Sequence, residues 1–92
     1  MTELEKKAPE VGIVMGSKSD LPLVKKAAEI LSSFGATWEI TVASAHRTPD
    51  DAVRYAAGAR RRGIRVLLAA AGLSAALPGV IAAHTTLPVV GI

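Results

Sequence analysis

The sequence predicts an α/β domain built as a doubly wound parallel sheet. Three observations lead there: short apolar runs alternate with helical patterns, all the runs but Trp38 to Val42 are apolar throughout, and polar residues gather in the turns that follow. Strands that are apolar on both sides are buried on both faces, which requires helices above and below a parallel sheet. Right-handed crossovers then wind the sheet both ways from its first strand. The order expected is 2-1-3-4, a three-layer flavodoxin-like arrangement cut off after about four strands.

Each element follows from local chemistry. Val11 to Met15, bounded by Gly16, reads as a buried strand. A helix is expected from about Ser19 to Phe34, with Leu23, Ala27, Ile30, Leu31 and Phe34 at helical spacing. Ser19 is a candidate cap, Pro22 falls in the tolerant first turn, and Gly35 supplies the stop. Trp38 to Val42 is the second strand. Thr48-Pro49-Asp50-Asp51 is a strong helix start, with Thr48 as N-cap, proline at the first helical position and two acids at the positive end of the dipole. That helix should run to about Arg62 and stop at Gly63. Val66 to Ala70 is the third strand, Ala75 to about Thr85 a shorter helix, and Pro88 to Ile92 the fourth strand. The domain thus spans 11–92, after a charged tail over 1–10. The outer edge of a fourth strand ending at the last residue would need a cover.

Composition narrows the function classes. The chain has 92 residues, enough for one small domain. Hydrophobic residues make up 50%, yet Phe34, Trp38 and Tyr55 are the only aromatics, so a base-stacking nucleic-acid platform is not expected. The net charge of +3 has its local surplus in Arg60-Arg61-Arg62, read as the end of a helix complementing its dipole. With no cysteine, disulfide and thiolate chemistry are excluded. The longest apolar stretch, Val66 to Ala71, is too short to span a bilayer, and the first ten residues carry no apolar signal core. A soluble, cytoplasmic protein is the expectation, without membrane or nucleic-acid partners.

In an open parallel sheet, ligands bind beyond the carboxyl ends of the strands. The turns there read Gly16-Ser17-Lys18-Ser19-Asp20, Ala43-Ser44-Ala45-His46-Arg47-Thr48-Pro49 and Ala71-Gly72-Leu73-Ser74-Ala75. The first suits an anion at a helix N-terminus, or equally an ordinary cap by Ser17 or Ser19. It is not a Walker A loop, because the second glycine and the Lys-Ser/Thr pair are absent. In the second turn, histidine is the side chain able to exchange a proton near neutral pH, and arginine can grip a phosphate with its fork. The alternative is that His46 merely closes a strand and Arg47 pairs with Asp50 or Asp51. In the third, small residues and backbone amides let a flat ring approach, or simply pack helix on strand. His84, near the end of the third helix, reads as structural. No histidine–carboxylate set has metal-ligand spacing.

Two separated motifs carry a resemblance. Val14-Met15-Gly16-Ser17-Lys18-Ser19-Asp20, followed by Ser44-Ala45-His46-Arg47-Thr48-Pro49, resembles the paired signature of the N5-carboxyaminoimidazole ribonucleotide mutases, within the class I AIR carboxylase family. Leu77-Pro78-Gly79-Val80-Ile81-Ala82-Ala83 and Leu87-Pro88-Val89-Val90-Gly91 are similar too. The resemblance implies an enzyme of purine biosynthesis that moves a carboxylate onto an aminoimidazole ring, working as a homo-octamer without metal, biotin or nucleotide cofactor. It implies His46 as the proton-transfer residue, Ser17 and Asp20 on the ribonucleotide, Ser44 and Arg47 on its phosphate, and Gly72 and Leu73 beside the substrate.

The chain departs from the family pattern in two ways. The family usually reads Gly-Gly-Ala-Ala-His-Leu-Pro-Gly after the third strand; here Leu73 replaces a glycine and Ala76 replaces the histidine. A related class that carboxylates aminoimidazole ribonucleotide directly with CO2 also lacks that histidine. Its usual loop reads Arg-Ser-Asn, of which Ser74 alone has a counterpart here, whereas Arg47-Thr48-Pro49 follows the mutase form. Family members are nearly twice as long, so the resemblance implies the N-terminal part of that fold, and a non-catalytic assembly module is a further reading.

Overall fold

A four-stranded sheet in the order β2-β1-β3-β4 forms the centre of the computed structural model, which describes residues 9–71 and 76–92. The strands are β1 (Val11–Met15), β2 (Trp38–Val42), β3 (Val66–Ala70) and β4 (Val89–Gly91), and all adjacent pairs are parallel. This is the expected order. The helices are α1 (Leu21–Ser33), α2 (Pro49–Ala59) and α3 (Ala76–Ala82). Among the described residues no helix is long and apolar enough to cross a membrane.

Side chains alternate across a strand, so each strand serves two layers. Val11, Ile13, Met15 and Ala70 pack with Val24 and Ala28 of α1 on one face. Val14, Leu67 and Ala69 pack on the other face with Ala52, Ala56 and Ala59 of α2 and Leu77 and Ile81 of α3. β1, central in the order, is buried along its whole length, whereas β2 is a partly exposed edge. Alanines line the face of α2 that packs on the sheet. Tyr55 is the exception, and Gly12 makes room for it: a Cβ on Gly12 would collide with the Tyr55 hydroxyl and meet Leu67 Cδ2 at 2.8 Å.

Several local details differ from the sequence expectation. First, α1 buries Val24 and Ala28, flanked by Leu21 and Leu31, while Leu23, Ile30 and Phe34 face outward. The helix carries two neighbouring apolar stripes, and the one with the smaller side chains lies on the sheet. Second, Ser19 does not cap α1. A 3-10 turn, Lys18–Asp20, precedes the helix; Ser17 caps that turn, and Asp20 stands at the α1 N-cap without a side-chain cap bond. Third, α2 ends at Ala59, before the arginine run, and Gly63 turns the chain with φ +99°. The arginines therefore do not supply the last helical turn. Arg60 donates to Thr86 Oγ1 (2.7 Å), and Arg62 pairs with Glu39 of β2 (2.7 Å).

Gly35 closes α1 with φ +78°, as a left-handed stop requires. α3 is shorter than expected, ending at Ala82, and His84 follows it in a turn.

Candidate active site

Register places the site. Met15 lies beside both Val42 and Ala70, so β1, β2 and β3 end on one rung. The ladder continues one step further: Gly16 N–H donates to Ala70 O and Ala43 N–H to Met15 O, each at 2.9 Å. The turns leaving the strands consequently start side by side at the carboxyl rim. Between them lies a cleft of about 510 Å³, lined by Gly16, Ser17, Ser19, Asp20, Ser44, Ala45, His46, Arg47, Ala71, Ala76 and Leu77. A second hollow of about 370 Å³ adds Lys18, Thr48 and Asp51 and shares Gly16, Ser17, Ser44 and Arg47 with the first.

In the first turn, capping and availability coexist. Ser17 Oγ accepts from Ser19 N–H (3.2 Å) and lies 2.5 Å from Ser19 Oγ. Asp20 Oδ2 accepts in return from Ser17 N–H (3.2 Å), a reciprocal box that fixes the turn. Among the described residues the other Asp20 oxygen accepts nothing, so it can take a hydroxyl from a ligand.

The second turn is wound around Ser44. Its Oγ accepts from His46 N–H (3.2 Å) and Arg47 N–H (3.0 Å). Both acceptor positions of that hydroxyl are thereby used, and its proton is left to donate. His46 and Arg47 are exposed, and among the described residues neither the imidazole nor the guanidinium has a side-chain partner. The alternative pairing of Arg47 with Asp50 or Asp51 is not made, and Asp51 is bridged by Arg54 at 2.6 Å instead. A cation with a planar fork, a hydroxyl proton and a proton-exchanging ring thus border one cleft, with Ala76 and Leu77 supplying an apolar side. That combination can hold a phosphorylated, hydroxylated molecule by one end and move a proton on a flat ring at the other.

Of the residues expected at the site, Ser17, Asp20, Ser44, His46 and Arg47 meet at this cleft. Gly72 and Leu73 lie outside the described residues. Sequence reasoning did not single out Leu77 as a cleft residue, and its signal was weak: a lone leucine one residue before a proline looks like core. It also read Thr48 as a helix cap. Thr48 does occupy the N-cap position but makes no side-chain cap bond; its Oγ1 accepts instead from Ser44 N–H at 2.8 Å. His84 lines a separate groove with Arg60 and Thr86, past the end of α3, away from the rim turns.

A polar cluster away from the rim behaves differently. Tyr55 OH donates to Glu39 Oε2 (2.5 Å), Arg62 donates to Glu39 Oε1 (2.7 Å), and the Arg62 guanidinium lies 5.8 Å from the Tyr55 ring centre. Burial pushes the Glu39 carboxyl up, but the hydrogen bonds from Arg62 and Tyr55 outweigh it and hold the group below its ordinary value. Burial first, and then the Glu39 carboxylate, raise the Tyr55 hydroxyl.

Comparisons with known proteins point to one family. The family described as AIR carboxylase matches residues 10–92. An N5-carboxyaminoimidazole ribonucleotide mutase of Thermotoga maritima is 58% identical over 84 residues, covering 91% of this chain and 49% of that protein. A phosphoribosylaminoimidazole carboxylase of Schizosaccharomyces pombe is 55% identical over 85 residues, covering 92% of this chain and 15% of that protein. The crystal structure of Treponema denticola PurE superposes with a TM-score of 0.77 at 32% identity, covering 88% of this chain and 52% of that one. The chain spans about half the length of the mutases it matches. With a family match running from the last residue of the charged tail through the fourth strand, and the rim turns holding the family's paired motifs, the chain belongs to the AIR carboxylase family.

Proposed function

We propose that this chain carries the ribonucleotide-binding and proton-transfer half of an N5-carboxyaminoimidazole ribonucleotide mutase of purine biosynthesis. The observation that carries the reading is the convergence of Ser17, Asp20, Ser44, His46 and Arg47 on one cleft. Arg47 and the Ser44 hydroxyl take the phosphate, and Ser17 and Asp20 take the ribose. The N-carboxylate leaves as CO2, its bonding electrons returning to the exocyclic nitrogen. Carbon 4 of the ring, rich in electron density from the amino group, then attacks that CO2. The proton displaced from carbon 4 passes to His46, and a proton is returned to the exocyclic nitrogen. The cleft keeps CO2 close and so raises its effective concentration. No metal or organic cofactor takes part in this scheme.

Direct carboxylation of aminoimidazole ribonucleotide by CO2 is the second reading, favoured by the carboxylase names among the relatives and by Ala76. Supplying the N-carboxylated ribonucleotide alone, or aminoimidazole ribonucleotide with bicarbonate, and following ultraviolet absorbance separates the two. Turnover of the first substrate without added bicarbonate supports the mutase. Turnover of the second alone supports the carboxylase. Turnover of neither leaves the chain a non-catalytic assembly module.

A cytoplasmic homo-oligomer, an octamer by resemblance, belongs to the same proposal. Its support is the outward stripe of α1: Leu23, Ile30 and Phe34 are 48%, 58% and 81% exposed, and Trp38 and Val42 of the adjoining edge strand are exposed too. Such a stripe suits burial against a second copy. Mass measurement in solution tests it, and a monomer at working concentration argues against it.

A further inference from the structure

We propose that Thr48 is the positioning residue of the site, acting through Ser44 to set the direction in which His46 and Arg47 leave the backbone; this rests on the functional reading above. The observation is a hydroxyl in an unexpected place. Thr48 sits at the N-cap of α2, where a threonine ordinarily accepts from an amide of the first turn, and it makes no such bond. Its Oγ1 points back along the chain, accepting from Ser44 N–H (2.8 Å) and donating to Ser44 O (3.4 Å). Thr48 N–H also donates to Ser44 O (3.1 Å). Residues 44 and 48 are therefore clasped in both directions, and the chain between them is closed into a loop.

Inside that loop, Ser44 Oγ holds the amides of both His46 and Arg47. Among the described residues neither functional side chain has a partner that would orient it. The direction of the imidazole and the guanidinium is then set by the loop backbone, and the loop backbone by the Ser44–Thr48 clasp. Ser44 holds the two amides and offers its proton to the ligand, so its own backbone needs an anchor outside the ligand's reach. Thr48, which touches the hollow beside Arg47 but not the main cleft, is that anchor. Using its hydroxyl on the loop costs α2 a cap, and Asp50 and Asp51 in the first turn offset part of the loss.

Two substitutions in the full chain test this, Thr48→Val and Thr48→Ser. Valine keeps the branched shape and removes the hydroxyl; serine keeps the hydroxyl. For Thr48→Val, kcat for carboxylate transfer should fall about 10- to 100-fold, the scale expected when a reacting group is misplaced by an ångström. KM should rise too, by up to about 10-fold, because the Arg47 fork on the phosphate shifts with the loop while the ribose contacts stay. Amide hydrogen exchange should quicken at Ser44, His46 and Arg47 and stay unchanged from residue 53 to 59 of α2. Thr48→Ser should restore both readouts. The proposal is overturned if Thr48→Val leaves exchange at His46 and Arg47 at the wild-type rate, if it loosens α2 and the loop alike as a lost cap would, or if serine fails to rescue. Should the wild-type chain turn over neither substrate, the functional reading fails, while the exchange measurement still decides the role of Thr48.

Discussion

The two polar clusters of this molecule are made of similar groups and differ in what they leave over. At Glu39, Tyr55 and Arg62, donors and acceptors meet one another: the carboxylate receives the phenol on one oxygen and the guanidinium on the other, and the charges cancel. At the rim, among the described residues, Ser44 and Asp20 use part of their capacity on backbone amides and keep the rest facing a cleft, while the His46 and Arg47 side chains keep all of theirs. The first arrangement ties α2 to the edge strand. The second holds its own backbone and offers chemistry to something else. Closure of the hydrogen-bond set, more than the presence of charge, separates a structural cluster from a binding one.

Perturbing one cluster should therefore move activity, and perturbing the other should move stability. The largest effect is expected for His46→Asn, which keeps a similar shape but cannot accept and release the proton. Turnover should drop by about 10²- to 10⁴-fold, the usual range for a lost general acid–base, with the melting temperature unchanged. Activity retained at the wild-type level would remove His46 from the mechanism. Arg47→Ala should come next, weakening ribonucleotide binding by about 1.5–3 kcal/mol, the value of hydrogen bonds to a charged group. Calorimetric titration with the ribonucleotide and its dephosphorylated nucleoside checks this, because the loss should be confined to the phosphorylated ligand.

Gly12→Ala strikes the other cluster. The new methyl group has to displace the Tyr55 hydroxyl and Leu67, so chemical denaturation should show a loss of about 1–3 kcal/mol, as overpacking typically produces. Ribonucleotide affinity of the folded fraction should be unaffected. Tyr55→Phe should cost about 1.5 kcal/mol, the lower end for a hydrogen bond to a charged group.

The smallest effect is in pH dependence. Glu39 is held below its ordinary value of 4.5, so its contribution is complete above that pH and is lost as the pH falls below it. Tyr55 is raised above its ordinary value of 10.0, so its contribution is complete below that pH and fades as the pH climbs past it. In Tyr55→Phe the alkaline decline of stability should shrink. An unchanged alkaline limb would assign it to other groups.

The strands and their order were legible because burial on both faces leaves an unmistakable apolar run, as in Val11–Met15 and Val66–Ala70. The site was legible because the turns that leave the first two strands each group hydroxyl, acidic or basic side chains directly after a strand end, and Ser17, Asp20, Ser44, His46 and Arg47 all fall there. What the sequence hid was long-range. Glu39 lies 16 residues from Tyr55 and 23 from Arg62, so no local pattern links them, and the arginine run looked like a helix end. The buried stripe of α1 was ambiguous because two stripes share the same period, and only contact with the sheet selects Val24 and Ala28. Thr48 was hidden for a subtler reason: a threonine before proline looks like a cap whichever way its hydroxyl turns.

The pairing of Met15 with Val42 on one side and Ala70 on the other has a consequence for how such a chain can vary. Adding a single residue within β1 would exchange its two faces, sending Val14 toward α1 and Ile13 toward α2. It would also push the Ser17 turn about 3.3 Å along the strand direction past the His46 turn. Adding a residue beside Gly35, in the turn at the opposite rim, would do neither. Length is thus constrained in the ladder and in the rim turns that the 17–20 box and the 44–48 clasp close, so lineages descending from this arrangement should accumulate their insertions at the opposite rim, around Gly35 and Gly63.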